Sequence, residues 1–316
     1  MSKLFEILNK SEPEIAQMIR PLLDGQPQPA THDSAAAEVI ATSLEVSDPP
    51  SNRSRPAAES AHAESFLAQV RTLGLHVPAP SPLLPFDDGQ WQASEQYRVL
   101  RTRIVQHPKR PRLIVISSAA PGDGKSISAI NIAATLSLKS EARVLLVDAD
   151  FRKSAIHVQL GLPEAPGLTD VLSGTCSPEE ALVNARELPN LYLMCAGTPP
   201  ANPVELLDSS PWPALCAQMR SLFHYVVVDS PPVAAVADYD LIQAPCDGVV
   251  LVVRPDHTPR QLLRRSLEIV AKEKLLGVVL NCVPEWFLAT STSPNYYYYS
   301  KGNGPRKVDP LARHAR

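Results

Sequence analysis

The sequence has no apolar run approaching the ~20 residues needed to cross a bilayer, and Met1 to Gly25 lacks the uninterrupted apolar core and small-residue cleavage site of a signal peptide. Both absences lead us to expect a cytoplasmic chain. None of its five cysteines, Cys176, Cys195, Cys216, Cys246 and Cys282, stands in a CxxC pair, and most have apolar neighbours. That spacing predicts reduced thiols acting as small hydrophobes rather than a metal cluster. The formal charge is only -3, so no overall basic character points to nucleic acid. No internal repeat is present, and Met1 to Gly25 lacks the dense lysine and arginine face that adsorbs to anionic membranes.

What the sequence does have is 316 residues with 44% hydrophobic composition, enough for one large core with chain left over. Leu4, Ile7, Leu8, Ile15, Met18, Ile19 and Leu22 recur at near-helical spacing, which predicts a short amphipathic helical segment over 1–25, broken at Pro13 and Pro21. Residues 26–90 are rich in Pro, Ala and Ser and read as a largely disordered linker. A helical interlude between Ala57 and Leu73 would place Phe66, Leu67, Val70 and Leu73 on one face. From Trp91 a helix carries Tyr97, Leu100 and Ile104 on its apolar side.

The period then changes. Apolar runs of strand length fall at Leu113–Ile116, Val144–Val147, Leu191–Met194, Tyr225–Val228, Val249–Val253 and Leu276–Leu280. Helical stretches at Ile127–Leu138, Trp212–Leu222 and Pro259–Lys272 separate several of them. Strands apolar on both faces and alternating with helices predict an α/β domain with a mostly parallel central sheet over 91–289, followed by a flexible tail over 290–316.

Between the Leu113 strand and the Ile127 helix stands Ala119-Ala120-Pro121-Gly122-Asp123-Gly124-Lys125-Ser126. Backbone N–H groups of such a loop surround phosphate oxygens, the helix N-terminus adds positive potential, Lys125 reaches the β and γ phosphates, and Ser126 ligates magnesium. Gly122 and Gly124 allow the close backbone approach. Ala119 stands where the usual motif has its first glycine. A glycine-containing turn with a solvated lysine would share some of these letters without the strand-loop-helix context.

Two apolar strands end in acids, Val147-Asp148-Ala149-Asp150 and Val228-Asp229. Ligands of open parallel sheets bind beyond such strand ends. Asp229, followed by Ser230-Pro231-Pro232, suits a metal held directly or through water; of Asp148 and Asp150, one accepts a proton from an incoming hydroxyl while the other supports the metal. Singly, each aspartate reads better as a cap or turn residue.

Taken together, Asp148-Ala149-Asp150-Phe151-Arg152 and the Ala-x-Pro-Gly-x-Gly-Lys-Ser loop resemble the bacterial tyrosine kinases of capsule and exopolysaccharide systems, from about Glu95 to Tyr299. His157 with Gly161-Leu162, the Gly167–Leu172 run, the Gly197–Leu207 segment and Gly277-Val278-Val279-Leu280-Asn281 are similar to that family too. Ser154 departs from its usual proline, and the stretch before Trp91 is long.

The resemblance implies a P-loop NTPase fold related to MinD and ParA. It further implies ATP and Mg2+ as cofactors, with the nucleotide on Ala120, Pro121, Gly122, Asp123, Gly124, Lys125, Ser126 and Ile127. Asn281 either touches adenine or caps its strand. Magnesium is expected on Ser126, Asp150 and Asp229, and catalysis on Lys125, Asp148, Asp150 and Arg152, the last neutralising transferred charge. Tyr296, Tyr297, Tyr298 and Tyr299, set among turn formers, are the expected autophosphorylation site. Glu95, Arg98 and Arg101 fall on one helical stripe that in the family packs against a neighbouring subunit of a ring; an exposed salt-bridged surface is the plainer reading.

The expected partners are a separate membrane activator of the chain-length-determinant type, further copies of the chain and a protein-tyrosine phosphatase, with location at the inner face of the cell membrane through the activator. Two alternatives stay open at this point. One is a positioning ATPase of the MinD and ParA kind, whose signature lysine is replaced here by Ala120; the other is a nucleotide-sensing scaffold.

Overall fold

The structure is a computed structural model that describes residues 5–8, 63–78, 83, 91–139 and 142–283. Among them one sheet of nine strands organises the molecule, in the order β1-β9-β8-β3-β7-β4-β6-β5-β2. These strands are β1 (Phe5–Leu8), β2 (Arg71–Leu73), β3 (Leu113–Ser118), β4 (Val144–Asp148), β5 (Leu182–Ala185), β6 (Leu191–Met194), β7 (Tyr225–Asp229), β8 (Gly248–Val253) and β9 (Leu275–Leu280). Neighbours run parallel except β1 against β9 and β5 against β6.

Alternation along the central strands divides the core in two. Leu113, Val115, Leu145, Val147, Val226 and Val228 join one apolar cluster, while Ile114, Ile116, Val144, Leu146 and Val227 join the other. Successive side chains of a strand point to opposite faces, so both faces must be covered. Helices α1 (Trp91–Val105) and α2 (Lys125–Ser137) cover one face through Leu100, Ile104, Ile130 and Ala133. The other face is covered by α7 (Pro211–Leu222), α8 (Asp238–Gln243) and α9 (Arg260–Ile269). In α7, Trp212, Leu215, Cys216, Met219 and Leu222 are buried at helical spacing, and Pro211 opens the helix where a missing N–H costs nothing. Short helices α3 (Ile156–Leu160), α4 (Leu168–Leu172), α5 (Pro178–Ala181) and α6 (Pro203–Leu207) fill the connections. All five cysteines are free, and burial pushes the Cys195 and Cys216 thiols up to about 12.

Two expectations for the first 90 residues need correction. Phe5–Leu8, read as part of a helix, is a strand paired with the outer edge of β9. An open edge supplies this backbone with partners at once; the rest of the segment read as helical, 9–25, lies outside the described residues. Within the stretch read as linker, residues 63–67 form a helical turn and β2 extends the sheet beside β5. Ala63, Phe66 and Val70 are buried in the core, as is Leu83. The apolar face proposed for Phe66 and Val70 is real, and burying a phenylalanine contributes roughly 2 kcal/mol; Leu73 belongs to the strand instead. Backbone bonds fix this segment, from Arg186 N–H to the Leu73 carbonyl (2.9 Å) and from His76 N–H to the Leu160 carbonyl (2.9 Å). Among the described residues no helix is long and apolar enough to cross a membrane.

Candidate active site

The site lies where β3, β7 and β4 end side by side. β7 separates the other two, and Asp229 at its end is in register with Asp148 on one side and Ile116 on the other. That order brings the acids of two strands to the loop leaving the third.

The loop from β3 to α2 is braced by its own neighbours. Gly122 and Gly124 have φ of 87° and 92°, the left-handed region that favours glycine. A Cβ on Gly124 would come within 2.0 Å of Asn281 Nδ2, so close approach also requires glycine there. Asp123 is fully buried and folds back into the loop. Its Oδ2 accepts the Ala120 N–H (2.8 Å), its Oδ1 accepts the Thr258 hydroxyl (2.7 Å), and its carbonyl accepts Asn281 Nδ2 (2.9 Å). Burial raises the Asp123 pKa against these bonds. His257 Nε2 lies 3.1 Å from the Pro121 carbonyl. Ala119 is buried in the core, which leaves no room problem from its departure from glycine. The first N–H groups of α2, from Lys125 to Ile127, have no intrahelical acceptor, which leaves them open to an anion.

On the acid side the satisfaction is uneven. Asp148 is fully buried and accepts three amides at 3.1 Å each, from Asp150, Ala155 and Ile156. It therefore shapes the loop after β4. Burial still lifts its pKa to about 6. Asp150 accepts the Lys153 N–H through Oδ1 (3.0 Å) and presents Oδ2 to Lys125 Nζ at 2.7 Å. Asp229 is fully buried with neither carboxylate oxygen in a hydrogen bond of normal geometry; Lys125 Nζ stands 3.5 Å from Oδ1, and the Ser126 hydroxyl faces it. Burial, with the charges of Asp148 and Asp150 adding to it, pushes Asp229 up to about 7 despite the lysine. For Lys125 burial acts downwards, yet Asp229 and Asp150 outweigh it and its pKa is raised.

Asp150 and Asp229 thus flank one cation already, the Lys125 ammonium, which also lies 3.1 Å from Ser126 Oγ. The bare oxygens of Asp229 beside a serine hydroxyl fit a hard divalent ion once phosphates draw the lysine away. Among the described residues no three His, Cys, Asp or Glu side chains are arranged to hold a metal. Magnesium rarely needs such a cage, since it keeps waters and binds through one or two carboxylates plus substrate phosphates.

Several expected residues take other positions. Arg152 forms a two-pronged pair with Asp238, Nε to Oδ2 at 2.8 Å and Nη2 to Oδ1 at 3.0 Å. Asn281 ties down the phosphate loop and caps its own turn, its Oδ1 accepting the Cys282 N–H (2.9 Å). Ser154 donates its hydroxyl to Glu164 (3.0 Å) in place of the family's proline. Glu95 and Arg98 pair with each other on the exposed face of α1, while Arg101 is half-buried. Tyr296 to Tyr299 lie outside the described residues. Sequence reasoning missed Thr258, His257 and Asp238. No motif marks them; the one faint signal is Thr258 before Pro259 at the head of α9, a pattern that reads as an ordinary helix start.

A mostly parallel sheet with a glycine loop, a lysine between the acids and those acids on adjoining strand ends defines a P-loop nucleotide-binding protein. No family model matches the chain. It is 37% identical over 192 residues to tyrosine-protein kinase YwqD of Bacillus subtilis, covering 60% of this chain and 80% of that protein. It is 39% identical over 205 residues to tyrosine-protein kinase ptk of Acinetobacter johnsonii, covering 63% of this chain but 28% of that longer protein. Among solved structures, the kinase domain of the Escherichia coli tyrosine kinase ETK superposes with a TM-score of 0.60 at 25% identity, covering 66% of this chain and 83% of that one. The chain belongs to the bacterial tyrosine-protein kinase family.

Proposed function

We propose that this chain is an ATP-dependent autokinase that phosphorylates Tyr296 to Tyr299 of a neighbouring copy and thereby regulates polymerisation, chain length or export of a capsule or exopolysaccharide. The observation that carries the reading is the Lys125 ammonium held between Asp150 and Asp229 at the mouth of a braced phosphate loop. Nucleotide phosphates have amides and a lysine to meet there, and the acids that lose the lysine retain the charge to hold a metal.

In this reading ATP lies with its phosphates along Gly122 to Ser126, and Lys125 turns to the β and γ phosphates. Ser126, Asp150 and Asp229 would hold a magnesium ion, which would supply neutralisation of phosphate charge. The tyrosine oxygen forms a bond to the γ phosphorus as the bond to the β–γ bridging oxygen breaks, leaving ADP. Asp148 orients the phenol or receives its proton, a role that requires it to give up one of the three amides it holds in its own loop. Positioning and charge neutralisation carry most of the rate. Each phosphate adds about -1.5 to -2 charge, which drives a modified tail from the acidic site. Glu95, Arg98 and Arg101 of α1 form the contact between copies, and a membrane protein of the chain-length-determinant type stimulates the kinase and holds it at the inner face of the cell membrane. A protein-tyrosine phosphatase resets the tail.

Tandem mass spectrometry of the full chain after incubation with ATP and Mg2+ tests this. Phosphate is expected on the 296–299 cluster, absent in Lys125→Met, and largely lost when the four tyrosines become phenylalanine while nucleotide still binds. ATP hydrolysis with unmodified tyrosines, even beside the membrane activator, supports a positioning ATPase instead.

A further inference from the structure

The loops that follow Asp148 and Asp229 are joined by the Arg152–Asp238 ion pair. Arg152 lies two residues beyond Asp150, and Asp238 opens α8 downstream of Asp229 and Ser230-Pro231-Pro232. Their bidentate contact at 2.8 and 3.0 Å sets both the distance and the angle between the loops, which a point charge would not. The exposure is lopsided: the Arg152 side chain is 47% exposed and that of Asp238 only 2%. A guanidinium so open to water adds little to global stability. Its partner is nevertheless sunk in the protein, where its carboxylate is fixed.

We propose that Arg152 and Asp238 are positioning residues that set the spacing of Asp150 from Asp229, and through it the affinity for the divalent ion. Arg152 acts on the reaction through Asp238 rather than by meeting the transferred phosphate. Groups that orient metal ligands commonly change metal affinity about 10-fold or more when removed. The inference rests on the nucleotide and metal reading given above, but not on tyrosine being the acceptor.

The test uses the full chain with Arg152→Lys, Arg152→Gln, Asp238→Asn and the double variant Arg152→Gln/Asp238→Asn. Binding of a fluorescent ATP analogue is measured in EDTA and across a Mg2+ titration, and amide hydrogen exchange over 149–156 is followed without nucleotide. Each single variant is expected to raise the half-saturating Mg2+ concentration about tenfold. Arg152→Lys is included because it keeps the charge and loses the fork. Affinity in EDTA should stay within about twofold, the 149–156 amides should exchange faster, and the double variant should be no worse than the weaker single, as expected for partners in one contact. Unchanged Mg2+ dependence, or additive losses in the double variant, overturns the proposal. So does an equal loss of affinity in EDTA and in Mg2+, which marks a merely structural pair. If Asp238→Asn fails to fold, Arg152→Lys at its half-exposed position decides alone. Wild-type chain that binds nucleotide with Mg2+ yet forms no phosphotyrosine counts against the kinase reading and leaves this test intact.

Discussion

The loop between β3 and α2 and the loop between β4 and α3 stand one strand apart, yet they settle their polar groups in opposite ways. In the first, Asp123 has a donor on each oxygen, and Asn281, just past β9, and Thr258, just before α9, reach in. In the second, Asp148 is satisfied by three amides, but Asp150, like the bare Asp229 at the end of the intervening β7, depends on Lys125 at the start of α2. A buried charge without a compensating partner is costly. The loop between β3 and α2 is therefore braced by the protein itself, whereas the acid side is closed by a side chain to which the proposed function gives another task. Nucleotide binding asks for a transfer of the lysine, with little rebuilding of the loop.

Removing the shared element should have the largest effect. Lys125→Met is expected to lower phosphotyrosine formation at least ~100-fold, since a charge aimed at the transferring group is lost. It should also lower the melting temperature without nucleotide. Breaking a buried pair costs about 3–5 kcal/mol, offset in part as Asp229 takes up a proton. A melting point equal to the wild type would break the comparison, because the acids would then not need the lysine.

Asp229→Asn separates the two sides. It should abolish the Mg2+-dependent gain in nucleotide affinity while leaving binding in EDTA nearly unchanged, read by the same fluorescent titration. It should also alter the pH response. Asp229 and Asp148 titrate at about 7 and 6 in the folded protein, against about 3.9 in an unfolded chain. The unfolded chain sheds these protons first as pH rises, so stability without ligand should fall between about pH 4 and 7 and level off above that. In Asp229→Asn, denaturant melts across this range should show a shallower fall; an unchanged slope would count against a strained Asp229.

A smaller effect is expected from the braced side. Thr258→Val keeps the shape and removes the donor to Asp123, which leaves a buried acceptor unmatched at roughly 1–3 kcal/mol. ATP affinity should drop about tenfold, equally in EDTA and in Mg2+. A loss confined to Mg2+ would show the loop and the acids to be one unit. The least change in stability should come from Arg98→Ala with Arg101→Ala, within about 1 kcal/mol, because exposed pairs contribute little. Light scattering should nonetheless show a smaller unphosphorylated particle, and an unchanged mass argues against α1 as the contact between copies.

Much of the fold was legible because the central strands are apolar on both faces. Leu191–Met194 reads directly from sequence, and β3, β4, β7, β8 and β9 differ from the apolar runs by one or two residues at an end. The strands that sequence hid are β1, β2 and β5, three or four residues long and outside the central parallel run; Arg71-Thr72-Leu73 carries no pattern that a period can catch. Their existence depends on partners far along the chain. In the site, Lys125, Asp150 and Asp229 come together as their motif spacing implies. What spacing does not reveal is direction. Asp148 turns into its own loop, and Arg152 reaches Asp238, 86 residues away. Hydrogen-bond acceptors made available by the fold decide such orientations, and no local signal encodes them.

The central claim is that the lysine leaves the two acids for the phosphates and a divalent ion takes its place. Calorimetric titration of ATP into the full chain, in Mg2+ and in EDTA, tests it most directly. The account predicts uptake in both, tighter by about tenfold or more in Mg2+, with the difference erased in Asp229→Asn. No uptake, or equal affinity with and without Mg2+ in the wild type, would contradict it.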